Sequence, residues 1–509
     1  MLTLRSSRPP RLPVRQWLGG VTTWIASSEG SLKERAVRGA LWLLLADVAN
    51  RVAGLVKVAV LGRLLLPRHF GLLGIALLIQ NWVNALTETG MSSVLIQKQG
   101  DIRPYLDVAW TLKLARGLLV AALLFLLAPF GARFFASPEA VPIIRVVAVL
   151  TLLWECVNPA VVYLRRGLNF RKDVSWRLSG VAPGLLAGVL LALAYRNTWA
   201  LVGSLVVSRV CEVAASYWVH PYRPRLAWNW SRARELTRAG KWFTCINVAG
   251  FLEQQLDSVA TGKLLGTSAL GSYQMANQIA GLTTAKIGVH ARGVLFPAFA
   301  KIGPGAPLRQ AYLSSLGTLL VIVAPVACFL TVFAQPVVRI VLGPRWLAVG
   351  PALAWLAWAG AARAAGGVVT SLLLGRGRLK TAVAMQLLRA SLLAGLMYLW
   401  LPSFGFTGTA MAAATASLLT LLAQLAAAAR LVGAGFWQTP KALSHAALAS
   451  LPFLLVWVPA RRAPAAWLYA AMAPAALACL AVVWRAVRLQ FRGKFRSLLG
   501  APAPAGTQS

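Results

Sequence analysis

Long apolar stretches separated by short polar segments recur along almost the whole sequence. Each stretch has about 20 residues, the length that an α-helix needs to cross a bilayer core about 30 Å thick. The pattern therefore predicts fourteen transmembrane helices, at residues 38–60, 70–96, 106–130, 141–163, 176–195, 199–219, 240–261, 268–296, 311–334, 346–373, 379–401, 406–430, 442–459 and 465–485.

The polar segments divide the chain into six parts. The predicted parts are a cytoplasmic basic arm at 1–37, an N-terminal six-helix bundle at 38–220, a basic cytoplasmic linker at 221–239, a C-terminal six-helix bundle at 240–431, transmembrane helices 13 and 14 at 432–486, and a cytoplasmic tail at 487–509. The arm lacks a long apolar core, so we expect a cytosolic segment and not a cleaved signal peptide.

Composition agrees with a membrane protein. The chain is 58% hydrophobic and only 13% charged, whereas about a quarter of residues are charged in soluble proteins. Lys and Arg outnumber Asp and Glu by 51 to 13, but the bases lie in clusters between apolar stretches and not on one face that would bind nucleic acid. When alternate loops are assigned to alternate sides, most bases fall on the side of the N-terminus. This bias predicts an inner-membrane protein with both termini in the cytoplasm.

The sequence contains no pattern typical of a metal site, a disulfide framework or an enzyme. All five cysteines lie in apolar segments without C-x-x-C spacing, and the four histidines are far apart. The only acid in a predicted non-cytoplasmic loop is Glu139, whereas a membrane-embedded glycan polymerase or ligase needs catalytic groups on such loops. We therefore expect a protein without cofactors that is not an enzyme.

An internal repeat appears at an offset of 200 residues. LGRLLLPRHFGLLGIA (61–76) aligns with TGKLLGTSALGSYQMA (261–276), and the identical pairs include Gly62 with Gly262 and Gly71 with Gly271. Six predicted helices separate the copies, so both have the same topology. Such parallel repeats occur in transporters whose halves move about a central cavity. The predicted fold is an all-α integral membrane protein with two parallel six-helix repeats around a central cavity plus two extra C-terminal helices.

Three segments carry a family resemblance: LGRLLLPRHFGLLGIA, ETGMSSVLIQ (88–97) and FLEQQLDSVATGKLLGTSALGSYQMANQI (251–279). Together they resemble the polysaccharide-exporting branch of the multidrug, oligosaccharidyl-lipid and polysaccharide exporter superfamily. The resemblance implies a flippase that moves undecaprenyl-pyrophosphate-linked oligosaccharide across the bacterial inner membrane by alternating access, for O-antigen (lipopolysaccharide), capsule or exopolysaccharide export. Expected partners are the lipid-linked oligosaccharide, bilayer lipids, a polysaccharide polymerase and export machinery, with no nucleic acid.

Basic residues inside the predicted helices are candidates for binding the pyrophosphate. A charge at the bilayer centre costs on the order of 2.5–3.5 kcal/mol, so such residues tend to face a wet cavity, where Lys and Arg replace the hydration of phosphates. The predicted cavity cations are Arg51, Lys57, Arg116, Lys286, Arg292 and Arg363. The alternative for Lys113, Arg116, Lys286 and Arg292 is that they snorkel to an interface or form structural ion pairs.

Four carboxylates are candidates for coupling to H⁺ or Na⁺: Asp47, Glu88, Glu253 and Asp257. Asp47 lies four residues before Arg51 on one helix face, so these two either pair or divide between ion coupling and phosphate binding. Glu253 and Asp257 share the same spacing and would repel unless one is protonated or a cation intervenes. Capture of either by a nearby base is the alternative.

Aromatic and amide side chains in the predicted second and eighth helices are candidates for contact with sugar rings. They are Trp82, Asn81, Asn84, Asn277 and Gln278; polar packing between helices is the alternative. A cation-coupled multidrug antiporter of the same superfamily is the main competing function. Such a protein should have an acidic cavity for cationic drugs, whereas bases prevail here.

Overall fold

The computed structural model describes residues 32–88, 91, 95, 101–167, 169–237, 240–281, 286–433, 450, 453, 470–478, 480, 481, 483 and 484. These residues form helices joined by turns, with no strand among them. The described residues leave out most of the predicted arm, of helix 13 and of the segment 88–97. They also leave out part of helix 14 and all of the tail at 487–509.

The first half of the described chain forms a helical unit that we call the N-lobe. Its helices are α1 (Leu32–Leu64), α2 (Pro67–Thr87), α3 (Arg103–Phe134), α4 (Ala140–Glu155), α5 (Val162–Arg166), α6 (Phe170–Leu178), α7 (Val181–Tyr195) and α8 (Thr198–Val219). Helix α2 packs against α3, α4 and α8, and α1 packs against α6 and α7. Helix α2 therefore occupies the centre of the lobe.

The second half forms the C-lobe, which follows the short linker helix α9 (Trp230–Thr237). Its helices are α10 (Gly240–Leu265), α11 (Thr267–Ala280), α12 (Lys286–Lys301), α13 (Ala306–Val332), α14 (Ala334–Val341), α15 (Gly350–Gly375) and α16 (Leu379–Val432). Helix α15 packs against α11, α12, α13 and α16. Its buried Ala and Gly residues, such as those at 359–362, permit this close approach.

The all-α, multi-spanning fold is confirmed, with differences in several helices. Seven helical stretches among the described residues are long and apolar enough to cross a membrane, so the count of fourteen stays a prediction. The predicted helix 268–296 covers most of α11 and of α12, with residues 282–285 between them outside the described residues, and the predicted helices 379–401 and 406–430 lie on either side of a kink in α16. Gly405 interrupts α16 with φ 57°, a left-handed conformation that glycine adopts without steric cost.

Large apolar side chains cover the outside of both lobes. Leu126 on α3 and Leu190 on α7 are each 66% exposed, and Leu422 on α16 is 58% exposed. Helices with satisfied backbone hydrogen bonds and apolar exteriors are the form that a lipid environment requires. These surfaces therefore face the hydrocarbon of the bilayer.

The two lobes meet where α2 crosses α11. A Cβ atom added to Gly71 would lie 1.8 Å from the Thr267 carbonyl oxygen, and one added to Gly271 would lie 2.0 Å from the Pro67 carbonyl oxygen. The four residues pair across the 200-residue offset, so each repeat makes the same contact with the other. Ser137 and Thr267 add a hydroxyl–hydroxyl hydrogen bond of 2.6 Å.

A glycine followed by a base near the end of α1 (Gly62, Arg63) and of α10 (Gly262, Lys263) reaches across to the opposite lobe. Arg63 donates to the Ile340 carbonyl oxygen, and the Lys263 ammonium lies 4.7 Å from the centre of the Phe134 ring. The Trp346 indole N–H donates to the Gly62 carbonyl oxygen at 2.8 Å. We call these contacts, together with the crossing of α2 and α11, the interlobe junction.

Candidate functional site: two adjoining cavities

A cavity of about 350 Å³ lies next to the interlobe junction, between α1 and α2 of one lobe and α10 and α11 of the other. Its polar lining consists of one ammonium and four amides: Lys57, Asn81, Gln255, Gln274 and Gln278. No carboxylate occurs among its described lining residues. This interlobe cavity therefore offers one positive charge surrounded by groups that both donate and accept hydrogen bonds.

Lys57 is the charged group of the interlobe cavity. It projects from α1 and is half-buried, and it has no hydrogen-bond or ion-pair partner in the part of the chain that the structure describes. The positive charge of Arg209 acts on it from α8. A buried charge needs a partner, so the cavity is suited to an anionic ligand.

A second cavity, also of about 350 Å³, lies within the N-lobe between α2, α3, α4 and α8. Its polar lining is Gln80, Asn81, Asn84, Glu88, Arg116, Thr151, Trp154, Glu155 and Arg209. Leu77 and Asn81 line both cavities. The interlobe and N-lobe cavities therefore adjoin along α2.

Arg116 forms ion pairs and hydrogen bonds with several neighbours in the N-lobe cavity. Its guanidinium pairs with the Glu155 carboxylate, lies 3.2 Å from a Glu88 oxygen and donates to the Asn84 side-chain oxygen at 3.0 Å. Its Nε–H donates to the Thr87 carbonyl oxygen at 3.1 Å. The Arg116 and Glu155 side chains are only 12% and 7% exposed, so this is a buried ion pair.

Arg209 is paired as well. It donates to Glu212 at 2.8 Å and lies over the Trp154 ring, with its guanidinium carbon 4.4 Å from the ring centre. Nearby, the Gln80 amide donates to the Thr151 hydroxyl at 2.7 Å. Each arginine of the N-lobe cavity thus has a carboxylate partner, in contrast to Lys57.

Comparison with known proteins assigns the family. The model of a family described as "Polysaccharide biosynthesis protein" matches residues 60–351, which is more than half of the 509 residues. The chain belongs to this polysaccharide biosynthesis protein family.

Two relatives support that assignment. This polysaccharide biosynthesis protein is 30% identical over 318 residues to the succinoglycan biosynthesis transport protein ExoT of Rhizobium meliloti strain 1021, a match that spans 62% of this chain and 64% of ExoT. It is 26% identical over 402 residues to the lipopolysaccharide biosynthesis protein WzxC of Escherichia coli K12, across 78% of this chain and 80% of WzxC.

Among solved structures, the fold is similar to that of the lipid II flippase MurJ in an inward closed conformation. The TM-score is 0.68 at 13% sequence identity, and the match covers 90% of this chain and all of the MurJ chain. This likeness shows that the two chains share a fold.

The six predicted cavity cations do not all line these two cavities. Lys57 lines the interlobe cavity and Arg116 the N-lobe cavity, whereas Arg51, Arg292 and Arg363 line neither. Arg292 is exposed, and Arg51 and Arg363 are half-buried. The side chain of Lys286 lies outside the described residues. For Arg116 the structure shows the structural ion pair that was the alternative interpretation.

Of the predicted coupling carboxylates, the structure describes the side chains of Glu88 and Asp257. Asp257 is buried, accepts a hydrogen bond from the Tyr273 hydroxyl at 2.6 Å and accepts one from the Ser258 backbone N–H at 2.7 Å. The charges of Arg363 and Arg389 act on Tyr273. The side chains of Asp47 and Glu253 lie outside the described residues. All four roles stay predictions.

Two of the predicted sugar-contact residues line the interlobe cavity, Asn81 and Gln278, and Asn84 lines the N-lobe cavity with Asn81. Trp82 and Asn277 line neither. Several lining residues were not among the predicted site residues, namely Gln80, Thr151, Trp154, Glu155, Arg209, Gln255 and Gln274. The repeat is a sequence feature that could have indicated Gln274, because this residue is equivalent to Gly74 across the 200-residue offset and packs against it.

Proposed function

We propose that this protein is a flippase that moves an undecaprenyl-pyrophosphate-linked oligosaccharide across the bacterial inner membrane for polysaccharide export. Its termini lie in the cytoplasm, and a polysaccharide polymerase and export machinery act on the delivered glycan. The similarity to ExoT, a succinoglycan biosynthesis transport protein, and to MurJ, a lipid II flippase, supports this proposal.

The observation that carries the proposal is the charge of the interlobe cavity. Lys57 has no ionic partner among the described residues and is surrounded by the amides of Asn81, Gln255, Gln274 and Gln278. A pyrophosphate brings negative charge to this ammonium, and the amides donate to its oxygens in place of water. The first sugar of the glycan follows the phosphates along α2 toward the adjoining N-lobe cavity, because Asn81 lines both cavities.

The interlobe junction supports an alternating-access mechanism. With the N-terminus in the cytoplasm, the turn between α1 and α2 faces the periplasm, and so does the equivalent turn between α10 and α11. The contacts of Gly71 and Gly271 then close the lobes on the periplasmic side. Separation of this junction, with closure at the opposite end, would release the glycan to the periplasmic leaflet.

Transbilayer movement of a fluorescent undecaprenyl-pyrophosphate oligosaccharide in proteoliposomes tests the function. We expect protein-dependent movement, and we expect Lys57→Ala to slow it by about tenfold or more, because a hydrogen bond to a charged group contributes about 1.5–3 kcal/mol. Lys172→Ala, which removes an exposed lysine on α6, is the matched control and should move the lipid at the normal rate.

Each assay is run with and without a proton or sodium gradient, which shows whether an ion drives the movement. Failure of the folded protein to move the lipid under any gradient would overturn the flippase proposal. Movement of cationic drugs in the same vesicles would then favour the multidrug antiporter.

A further inference from the structure

The N-lobe cavity differs from the interlobe cavity in its charge balance. Its described lining contains two arginines and two carboxylates, Arg116, Arg209, Glu88 and Glu155. Arg116 pairs with both carboxylates, and Arg209 pairs with Glu212. The positive charges are thereby neutralised, so this cavity attracts phosphate less than the interlobe cavity does.

Helix α2 presents a continuous polar face to the N-lobe cavity. Leu77, Gln80, Asn81 and Asn84 of α2 line it, and so does Glu88, the C-cap residue of the helix. The positions 77, 80 or 81, 84 and 88 follow at intervals of three or four residues, which places them on one side of the helix axis. The face ends at Glu88, whose backbone N–H donates to the Asn84 carbonyl oxygen at 2.9 Å. The positions of the amides and of the final carboxylate are therefore fixed by the helix.

Glu88 is the accessible carboxylate of this face. Its side chain is 45% exposed, compared with 7% for Glu155. Arg116 lies 3.2 Å from one Glu88 oxygen and donates to the Asn84 side-chain oxygen. Each carboxylate oxygen accepts more than one hydrogen bond, so Glu88 keeps acceptor capacity toward the cavity while Arg116 holds it in place.

We propose that the N-lobe cavity binds an uncharged sugar of the lipid-linked glycan and that Glu88 and Asn81 are its specificity-determining residues. This inference rests on the proposed function. Sugar hydroxyls donate to the Glu88 carboxylate and exchange hydrogen bonds with the Asn81 amide, while Arg116 is a positioning residue. Because Asn81 lines both cavities, the phosphates at Lys57 and the sugar belong to one continuous ligand.

The same arrangement discriminates against acidic sugars. A uronate in the N-lobe cavity would place its carboxylate beside Glu88 and Glu155, while the positive charges that act on those two acids, Arg116 and Lys113, are already shared between them. Like charges brought together in a partly desolvated site repel. An uncharged sugar of the same shape has hydroxyl donors at those positions and is accepted.

Equilibrium binding of two synthetic lipids to the full-length protein in detergent tests this inference. The probes are undecaprenyl-pyrophosphate-linked glucose and its glucuronate counterpart, which differ only at C6. We expect the wild-type protein to bind the glucose lipid about tenfold more tightly, and Glu88→Gln to reduce that preference to about twofold, since one like charge is removed. Glu235→Gln is the matched control. It alters a carboxylate on the linker helix α9 that accepts a hydrogen bond from the Tyr105 hydroxyl, and it should keep the tenfold preference.

The ratio is measured within one protein sample, so partial unfolding of a variant does not change it. Equal binding of the two lipids by the wild type, a glucuronate preference, or an unchanged ratio in Glu88→Gln would overturn the inference while leaving the flippase proposal intact. Absence of binding by either lipid would overturn both. Unchanged affinity for both lipids in Lys57→Ala would contradict the phosphate site of the proposed function alone.

Discussion

The two cavities adjoin along α2 and have equal volumes, yet their charges are arranged in opposite ways. In the interlobe cavity a single ammonium, Lys57, has no partner among the described residues. In the N-lobe cavity, Arg116 and Arg209 are both matched by carboxylates. A large excess of bases, 51 against 13 acids, therefore does not make every cavity cationic, because local pairing decides which charge is available to a ligand.

The largest effect should follow from breaking the buried pair of the N-lobe cavity. Arg116→Ala removes the ion-pair partner of the buried Glu155, and loss of one member of such a pair costs about 3–5 kcal/mol. The charge of Lys113 also acts on Glu155 and remains in the variant, so we expect a loss near the lower value. Denaturant unfolding in detergent measures this loss of stability. The double variant Arg116→Ala with Glu155→Gln should recover much of it, because the unpaired buried charge is gone. A loss below about 1 kcal/mol in Arg116→Ala would mean that the pair is not structural.

A smaller effect, specific to the interlobe cavity, should follow from adding a methyl group at the junction. Gly71→Ala and Gly271→Ala each force apart a backbone contact of α2 with α11, and overpacking of this kind costs about 1–3 kcal/mol. Because the contacts are equivalent in the repeat, the two variants should shift the lobes to a similar extent. Distances between spin labels on the two lobes report the shift.

Gly54→Ala is the control for these variants, since nothing lies within 4 Å of a Cβ added at that position of α1. The N-lobe cavity lies within one lobe, so neither junction variant should alter the preference for uncharged over acidic sugar. If a junction variant changed both the distance between the lobes and the preference for the uncharged sugar, the two cavities would not be independent.

The smallest effect should come from an ion pair of the same chemistry at an exposed position. Arg68 donates to Glu139 at 2.7 Å, but the two side chains are 58% and 59% exposed. Exposed pairs contribute about 0–1 kcal/mol, so Arg68→Ala should leave the free energy of unfolding almost unchanged. A loss comparable to that of Arg116→Ala would show that burial is not what separates the two pairs.

The fold was largely predictable because its signals are local or repetitive. Hydrophobic length predicted the helices, and the 200-residue offset predicted the equivalence of Gly71 and Gly271, which the structure brings into matching contacts. The predicted break between the helices 379–401 and 406–430 is matched by the kink at Gly405 in α16.

The site was predictable only in part. The pattern of polar residues inside predicted transmembrane helices placed Lys57, Asn81 and Asn84 among candidates for a cavity, and the structure places them there. It does not specify which helices become neighbours, so the pairing of Arg116 with Glu155, 39 residues away, was outside its reach. For the same reason Arg51 and Arg292 were grouped with Lys57, although they do not line its cavity.

The most direct test of the account is the affinity of undecaprenyl pyrophosphate for the wild-type protein, Lys57→Ala and Lys172→Ala, measured in detergent without any sugar on the lipid. We expect Lys57→Ala to bind undecaprenyl pyrophosphate about 10- to 100-fold more weakly than the wild type, the loss expected for one charge-assisted contact. We expect Lys172→Ala to bind it with the wild-type affinity. Equal binding by all three proteins would contradict the assignment of the interlobe cavity to the phosphates.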